Sequence, residues 1–389
     1  MVSMPGGTLR LHRVSCGNSV RGQNTGKIVS GYIGTKPIVS FSTKHRFLKR
    51  FTRRIDVRMS GGKNGYSFGL ISDVQWTPTP THGQSFHGTP RYYSDALEKA
   101  KRAVDTFKRH NVDACVHLGD IVDFHASKHG VSNQALEEII QTFDQLSPRP
   151  VLHCIGNHCL YNAPRHVLNE CLGIDDHKSQ VATEEDGESA SSSCGVHSYF
   201  VFRPPGKGLA FFVLDGYDVS ILGYPPGHPN HELAKRILEE KNPNEEKNSN
   251  KGLTGLDKRF VKFGGGVSQS QVAWLERELN VCRQRGEKAI ICSHLCIHPN
   301  TCVPTCLLYN YDQVLNVLQQ YAPDVVLATF AGHAHHDGYH RDEFGIHHRV
   351  CEAVLETEPG HDCHGIVHVC DNVIEICGFG NFTSATYHL

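Results

Sequence analysis

What most constrains this chain is a recurrence. Apolar, strand-like runs stop abruptly and are followed at once by residues able to hold a cation. Val112 to Leu118 ends in Gly119-Asp120-Ile121-Val122-Asp123. Four more runs end alike, in Ile71-Ser72-Asp73-Val74-Gln75, Cys154-Ile155-Gly156-Asn157-His158, Ile291-Cys292-Ser293-His294 and Phe330-Ala331-Gly332-His333-Ala334-His335. In α/β sheets ligands collect at the carboxyl ends of strands. A single Asp in such a place reads as a solvated turn acid. Five strand ends that carry Asp, Gln, Asn and His read as one dinuclear metal site.

The chemistry of such a site distributes the donors. Two divalent ions held about 3.5–4 Å apart need a shared anionic ligand and further oxygen or nitrogen donors. Asp120 is the natural bridge. Asp73 and Gln75 reach one ion together with His335, and Asn157, His294 and His333 surround the other. The i, i+2 spacings of Asp73 with Gln75 and of His333 with His335 imply extended chain, in which alternate side chains share a direction. Gln75 in place of an imidazole makes its pocket harder and richer in oxygen, which favours manganese or magnesium over zinc there.

The order of elements between these ends alternates strand and helix, predicting an α/β protein with helices against sheets. Strands are expected at about Tyr66–Ser72, Val112–Leu118, Val151–Ile155, Lys288–Cys292 and Asp324–Ala331. Helices are expected at Tyr92–His110, Leu136–Leu146, Pro164–Leu172, Ser270–Arg285 and Asp312–Tyr321. Pro204-Pro205-Gly206-Lys207-Gly208 turns a hairpin between Ser198–Phe202 and Leu209–Leu214, and short strands follow at His347–Val350, Gly365–Val369 and Val373–Cys377. The acidic, Ser-rich segment 175–195 reads as a solvated loop. Residues 217–266 read as a long insertion, functional or disordered, whose first part lies near the site.

Charge divides the chain. Eleven of the 39 Lys and Arg, and none of the 40 acidic residues, fall within residues 1–55, so the remainder carries a net charge of about −12. An acidic body argues against nucleic acid as the main partner. The absence of a run of 18 apolar residues argues against a membrane span. Residues 1–58 have the composition of a plastid or mitochondrial transit peptide, with a disordered basic tail as the competing reading. A product starting at Met59 would hold the whole metallohydrolase domain, 59–389, and stay in the cytoplasm. The 15 cysteines show no compact disulfide spacing, which fits a reducing compartment and buried thiols.

The five blocks, in the order D-x-[HQ], G-D-x-x-D, G-N-H, H and G-H-x-H, resemble the calcineurin-like metallophosphoesterase superfamily. Gln75, with Tyr161-Asn162 after Gly-Asn-His, Ser293-His294-Leu295-Cys296-Ile297-His298-Pro299 and Cys306-Leu307-Leu308-Tyr309-Asn310-Tyr311, resembles its manganese-dependent ADP-ribose/CDP-alcohol diphosphatase branch. Cys159 departs from the acid usual after Gly-Asn-His. The resemblance implies a β-sandwich flanked by helices with metals at strand ends. It implies two divalent ions, manganese preferred over magnesium, zinc or iron. It also implies a monomer that hydrolyses the phosphoanhydride of nucleoside diphosphate derivatives by a hydroxide bridging the metals. His158 would stabilise the transition state and Asp123 would hold its imidazole. Phe86, Arg91 and Tyr309, in loops, are candidates for contacting base or phosphate, each with packing as the plainer role. The rivals are a phosphomonoesterase or phosphodiesterase of the same fold and a metal-binding scaffold.

Overall fold

The computed structural model describes residues 65–85, 88–179 and 197–389. The basic leader 1–58, Phe86 and most of the acidic 175–195 segment therefore lie outside the described residues.

Two six-stranded sheets pack face to face. In the first, Tyr66–Ile71 sits between Cys363–Cys370, its antiparallel neighbour, and Ala114–His117, its parallel one. Val151–His153 extends the parallel side, and Val373–Gly380 with Ala385–His388 extends the other. In the second, Lys288–Ser293 lies parallel to both Leu209–Val213 and Val326–Ala331, with Phe200–Phe202 closing one edge and His347–Val350 and Gly338–Arg341 the other. Strands buried on both faces read as continuous apolar runs, and Ala114–His117, Leu209–Val213 and Val326–Ala331 are buried at every position.

Between the sheets, Phe68 meets Phe211 edge-on at 5.1 Å between ring centroids and Phe330 at 6.1 Å. The outer faces are covered by helices with an apolar stripe. Tyr93–Arg109 presents Ala96, Ala100, Ala103 and Phe107 to the first sheet, and Gln269–Arg285 buries Trp274, Leu275 and Leu279 against the second. The result is a helix-flanked β-sandwich of the α/β class. Its parallel strands run the same way in each sheet, so their carboxyl ends gather the donor-bearing loops at one edge.

The helices expected around Tyr92–His110, Ser270–Arg285 and Asp312–Tyr321 are present as Tyr93–Arg109, Gln269–Arg285 and Tyr311–Gln320, and the hairpin pairs as expected. The strands Gly338–Arg341 and Ala385–His388 go beyond the sequence expectations, because each is a four-residue edge strand with too few apolar positions to be read locally. Of the two readings of the 217–266 insertion, functional or disordered, the structure gives a folded segment. Val219 and Gly266 exchange two backbone hydrogen bonds at its base, and Pro229–Lys241 is helical. The buried amide of Asn242 donates to the carbonyls of Ser249 and Phe260 at 3.0 and 2.7 Å. One polar side chain thus ties the loop's two limbs together. No helix among the described residues is long and apolar enough to cross a membrane.

Candidate metal centre

The donor loops leave their strands by an unusual backbone. Asp73, Gln75, Asp120, His333 and His335 all have φ between 47° and 66°, and Asn111 is the one other non-glycine residue with positive φ among the described residues. Left-handed backbone costs an L-residue on the order of 1 kcal/mol or more. It persists here because the surrounding strands fix the loops. Gln75 N donates to Asp120 O at 2.8 Å and Asp73 N to Gly119 O at 3.2 Å, so the first two donor loops are laced together. The i, i+2 pairs share a direction through paired left-handed turns beyond the strands, which end at Ile71 and Ala331, rather than through extended chain.

Sterics explain the glycines that precede the donors. A Cβ on Gly156 would stand 2.0 Å from Asp120 Oδ1, and one on Gly332 would stand 2.3 Å from Ser72 Oγ and 2.6 Å from Asp73 Oδ2. Only a residue without a side chain lets these loops approach.

The donors converge. Oxygen or nitrogen atoms of Asp120, His294 and His333 lie within 4.8 Å of one another. His294 Nε2 is 3.3 Å from Asp120 Oδ2 and 3.1 Å from His333 Nδ1. On the other side, His335 Nε2 is 3.2 Å from Asp73 Oδ1 and 3.0 Å from Gln75 Nε2, and Gln75 Nε2 is 3.4 Å from Asp120 Oδ2. Asp120 thus touches both groups. Its Oδ1 also accepts from the backbone N–H of His158, next to Asn157. Asn157 is held by Tyr217, whose hydroxyl donates to its Oδ1 at 3.1 Å.

Whether a cation fits can be judged from what these atoms lack. Asp73 Oδ1, Gln75 Oε1 and His333 Nε2 are buried with no hydrogen-bond partner. Among the described residues, no Lys or Arg pairs with Asp73 or Asp120, which are 0% and 1% exposed. Buried carboxylates are paired or bind metals. Both imidazoles that face them present Nε2, because Nδ1 of His294 donates to the carbonyl of Leu118 at 2.7 Å and Nδ1 of His335 to Glu356 Oε1 at 2.8 Å. A ring whose Nδ1 proton is fixed this way offers its Nε2 lone pair. The residues present fit divalent ions.

The local fields agree. Burial pushes the Asp73 carboxyl up, yet the facing His335 pulls it well below the usual carboxylate range. Against burial, Asp73 and Glu356 raise His335 to about 10. Burial and His294 lower His333 to about 3. The carboxylates draw in positive charge, which a proton or a divalent ion supplies in competition.

His158 lies at the rim. Its Nδ1 accepts from the Phe124 backbone N–H at 2.9 Å, so in the neutral ring the proton sits on Nε2. Asp123 Oδ2 is 3.0 Å from the same nitrogen but off the line of a hydrogen bond. Asp123 was expected to fix the tautomer. In the structure it caps the helix Phe124–Lys128 through Oδ1, accepting from His125 N at 2.8 Å, and so aims the Phe124 amide that does. Asp123 Oδ2 faces the His158 ring. Burial alone would raise its carboxyl, but His158 and His125 lower it to about 2. Cys159, the departure from the expected acid, is buried and leaves these contacts intact.

The substrate candidates fare differently. Tyr309 is 4% exposed, donates its hydroxyl to Val261 O at 2.6 Å and packs on Phe260, so its ring is not a free stacking face. Phe260 and Leu238 of the insertion pack against it. Arg91 is engaged by Glu356, its Nε 3.3 Å from Oε1. Phe86 lies outside the described residues. Sequence reading missed Phe263, a half-buried ring 5.9 Å from that of His333. It also missed Glu356. Nothing local distinguishes either from an ordinary loop residue.

Comparison with known proteins decides the family. The calcineurin-like phosphoesterase profile matches residues 66–337. The chain belongs to the calcineurin-like phosphoesterase family. It is 38% identical over 323 residues to the Arabidopsis thaliana protein named manganese-dependent ADP-ribose/CDP-alcohol diphosphatase, covering 83% of this chain and 96% of that one. The Homo sapiens protein of the same name is 35% identical over 319 residues, covering 81% and 90%. A crystal structure of a dimetal phosphatase from Danio rerio superposes with a TM-score of 0.74 at 31% identity, covering 83% of this chain and 98% of that one.

Proposed function

We propose that this member of the calcineurin-like phosphoesterase family is a manganese-dependent ADP-ribose/CDP-alcohol diphosphatase. Asp73, Gln75, Asp120, Asn157, His294, His333 and His335 are proposed to hold two divalent ions. The observation that carries the reading is the convergence of Asp120, His294 and His333 within 4.8 Å beside the buried Asp73 and the facing His335, with Asp73 Oδ1 and Gln75 Oε1 lacking a hydrogen-bond partner. The names of the relatives supply the substrate class and the metal.

Two ions in such a centre supply a nucleophile from water at neutral pH and stabilise charge on the phosphoryl oxygens. The chain's own residues do the rest. Asp120 fixes the separation of the two donor groups. His158, with its proton on Nε2, donates to the oxygen on which charge develops, and Asp123 holds the ring in place by capping the helix that aims the Phe124 amide at Nδ1. A phosphate monoester leaves more easily than an alkoxide, since its second pKa is about 6. His158 therefore matters less than the metal donors. Phe263 borders the centre where an aromatic face can meet a base.

The substrates are small nucleoside diphosphate derivatives, and the protein acts as a monomer without nucleic acid or membrane partners. Residues 1–58 are proposed as a removable leader to plastid or mitochondrion, with a product from Met59 cytoplasmic. The test is an assay of the full chain with manganese, magnesium or zinc. ADP-ribose, CDP-choline and CDP-glycerol are set against p-nitrophenyl phosphate and single-stranded DNA. Hydrolysis of ADP-ribose to AMP and ribose 5-phosphate, fastest with manganese, is expected. A preference for p-nitrophenyl phosphate or DNA would overturn the reading in favour of a phosphomonoesterase or nuclease of the same fold.

A further inference from the structure

The two imidazoles that face the carboxylates are backed differently. His294 Nδ1 donates to a neutral carbonyl, Leu118 O, whereas His335 Nδ1 donates to the carboxylate of Glu356 at 2.8 Å. Glu356 is not a loose surface acid. Its chain segment is stitched to the two strand ends that carry the centre. Cys351 N donates to Ala331 O at 2.8 Å, Val354 N to Ser72 O at 3.2 Å and Leu355 N to Asp73 O at 3.1 Å. The side chain is 16% exposed and is gripped from behind by Arg91, Nε to Oε1 at 3.3 Å. Tyr92 N donates to Leu355 O at 3.0 Å, so the segment that carries Arg91 is tied to the same backbone.

We infer that Glu356, clamped by Arg91, is a positioning residue for the half of the centre formed by Asp73, Gln75 and His335. It rests on the dinuclear reading above. A carboxylate only accepts, so it fixes the Nδ1–H form of His335 and aims Nε2 at Asp73 Oδ1, 3.2 Å away. It also lends negative charge to the imidazole. A carboxylate behind a ligating imidazole fixes its tautomer and raises its basicity, which the neutral carbonyl behind His294 does less strongly. Arg91 acts on the centre through Glu356 rather than by reaching a phosphate.

The test uses the full chain stripped of metal and titrated with Mn2+, with free Mn2+ followed by its paramagnetic resonance signal and bound metal by elemental analysis. Glu356→Gln keeps an acceptor and loses the charge, while Glu356→Leu removes both. The neighbouring Glu358→Gln is the control. Wild type and Glu358→Gln are expected to bind two Mn2+ per chain. Glu356→Leu should weaken one of the two by about 10–100-fold and leave the other, with Glu356→Gln between. Thermal melting of the metal-free Glu356→Gln protein should match wild type, which separates positioning from folding. If Glu356→Leu does not fold, Glu356→Gln carries the comparison. Two ions bound at wild-type affinity in Glu356→Gln, or equal weakening of both, would overturn the inference while leaving the dinuclear reading in place. A wild-type chain that binds no pair of Mn2+ would overturn that reading itself, and this inference with it.

Discussion

The donor loops and the wall beside them are built by different rules. In the loops, five donors hold a left-handed backbone, and a Cβ on Gly156 or Gly332 would collide with a carboxylate. Position, residue type and neighbour are fixed together. The wall, made by the folded 217–266 segment and the Tyr309 stretch, uses aromatic packing and one buried amide. Phe260 lies 5.6 Å from Tyr309, and Asn242 ties the limbs. Many apolar residues would serve there. A region built on coordination tolerates few substitutions and announces itself in sequence, while a region built on packing tolerates many and does not.

The sharpest way to break this comparison is Asp120→Asn. Loss of an outer partner of a metal ligand costs about 10–100-fold, and Asp120 is the side chain that touches both donor groups. Turnover of ADP-ribose should fall by several orders of magnitude with the fold intact by circular dichroism. Near-normal turnover with two metals bound would show that Asp120 does not bridge.

Gly156→Ala tests the steric half of the argument. The added methyl would lie 2.0 Å from Asp120 Oδ1, so either the loop or the carboxylate must move. Overpacking costs about 1–3 kcal/mol. Denaturant melts should show that loss, and turnover should drop more than stability alone explains. Wild-type stability and activity would mean the loops are softer than their backbone implies.

Gln75→His sharpens the comparison inside the centre. An imidazole brings a softer nitrogen to the pocket of Asp73 and His335. Activity across manganese, magnesium, cobalt and zinc should shift from manganese toward zinc or cobalt. An unchanged ranking would remove Gln75 from metal selection.

These contrasts explain what the sequence disclosed. The seven metal-capable residues were legible as a group because each stands at or just past the end of an apolar run. The reason that paired donors share a direction lies elsewhere than in period two, which belongs to extended chain, since Asp73, Gln75, His333 and His335 lie past the strand ends in left-handed backbone. Glu356 was invisible because its partner, His335, comes from a different loop and its flanking acid, Glu358, is exposed. Arg91 and Tyr309 were singled out by residue type alone. Only tertiary packing shows that one grips Glu356 and the other is enclosed.

The smallest expected effect decides whether the wall is packing alone. Tyr309→Phe removes one hydroxyl and keeps the ring. That hydroxyl donates to Val261 O at 2.6 Å in a site 4% exposed, so its loss leaves a buried carbonyl without this donor. Such a bond contributes about 0.5–1.5 kcal/mol. The variant should unfold at slightly lower denaturant concentration, with the slope of the transition unchanged. Because the ring is enclosed by Phe260 and the backbone near Gly264, it has no route to a nucleobase, and KM for ADP-ribose and CDP-choline should stay at the wild-type value. The matching change on the exposed side, Phe263→Leu, should raise KM while leaving stability nearly intact, since that ring is half-buried beside His333. If Tyr309→Phe raised KM and Phe263→Leu did not, recognition would run through the packed aromatic, and the division between a coordinating centre and a merely supporting wall would fail at that residue.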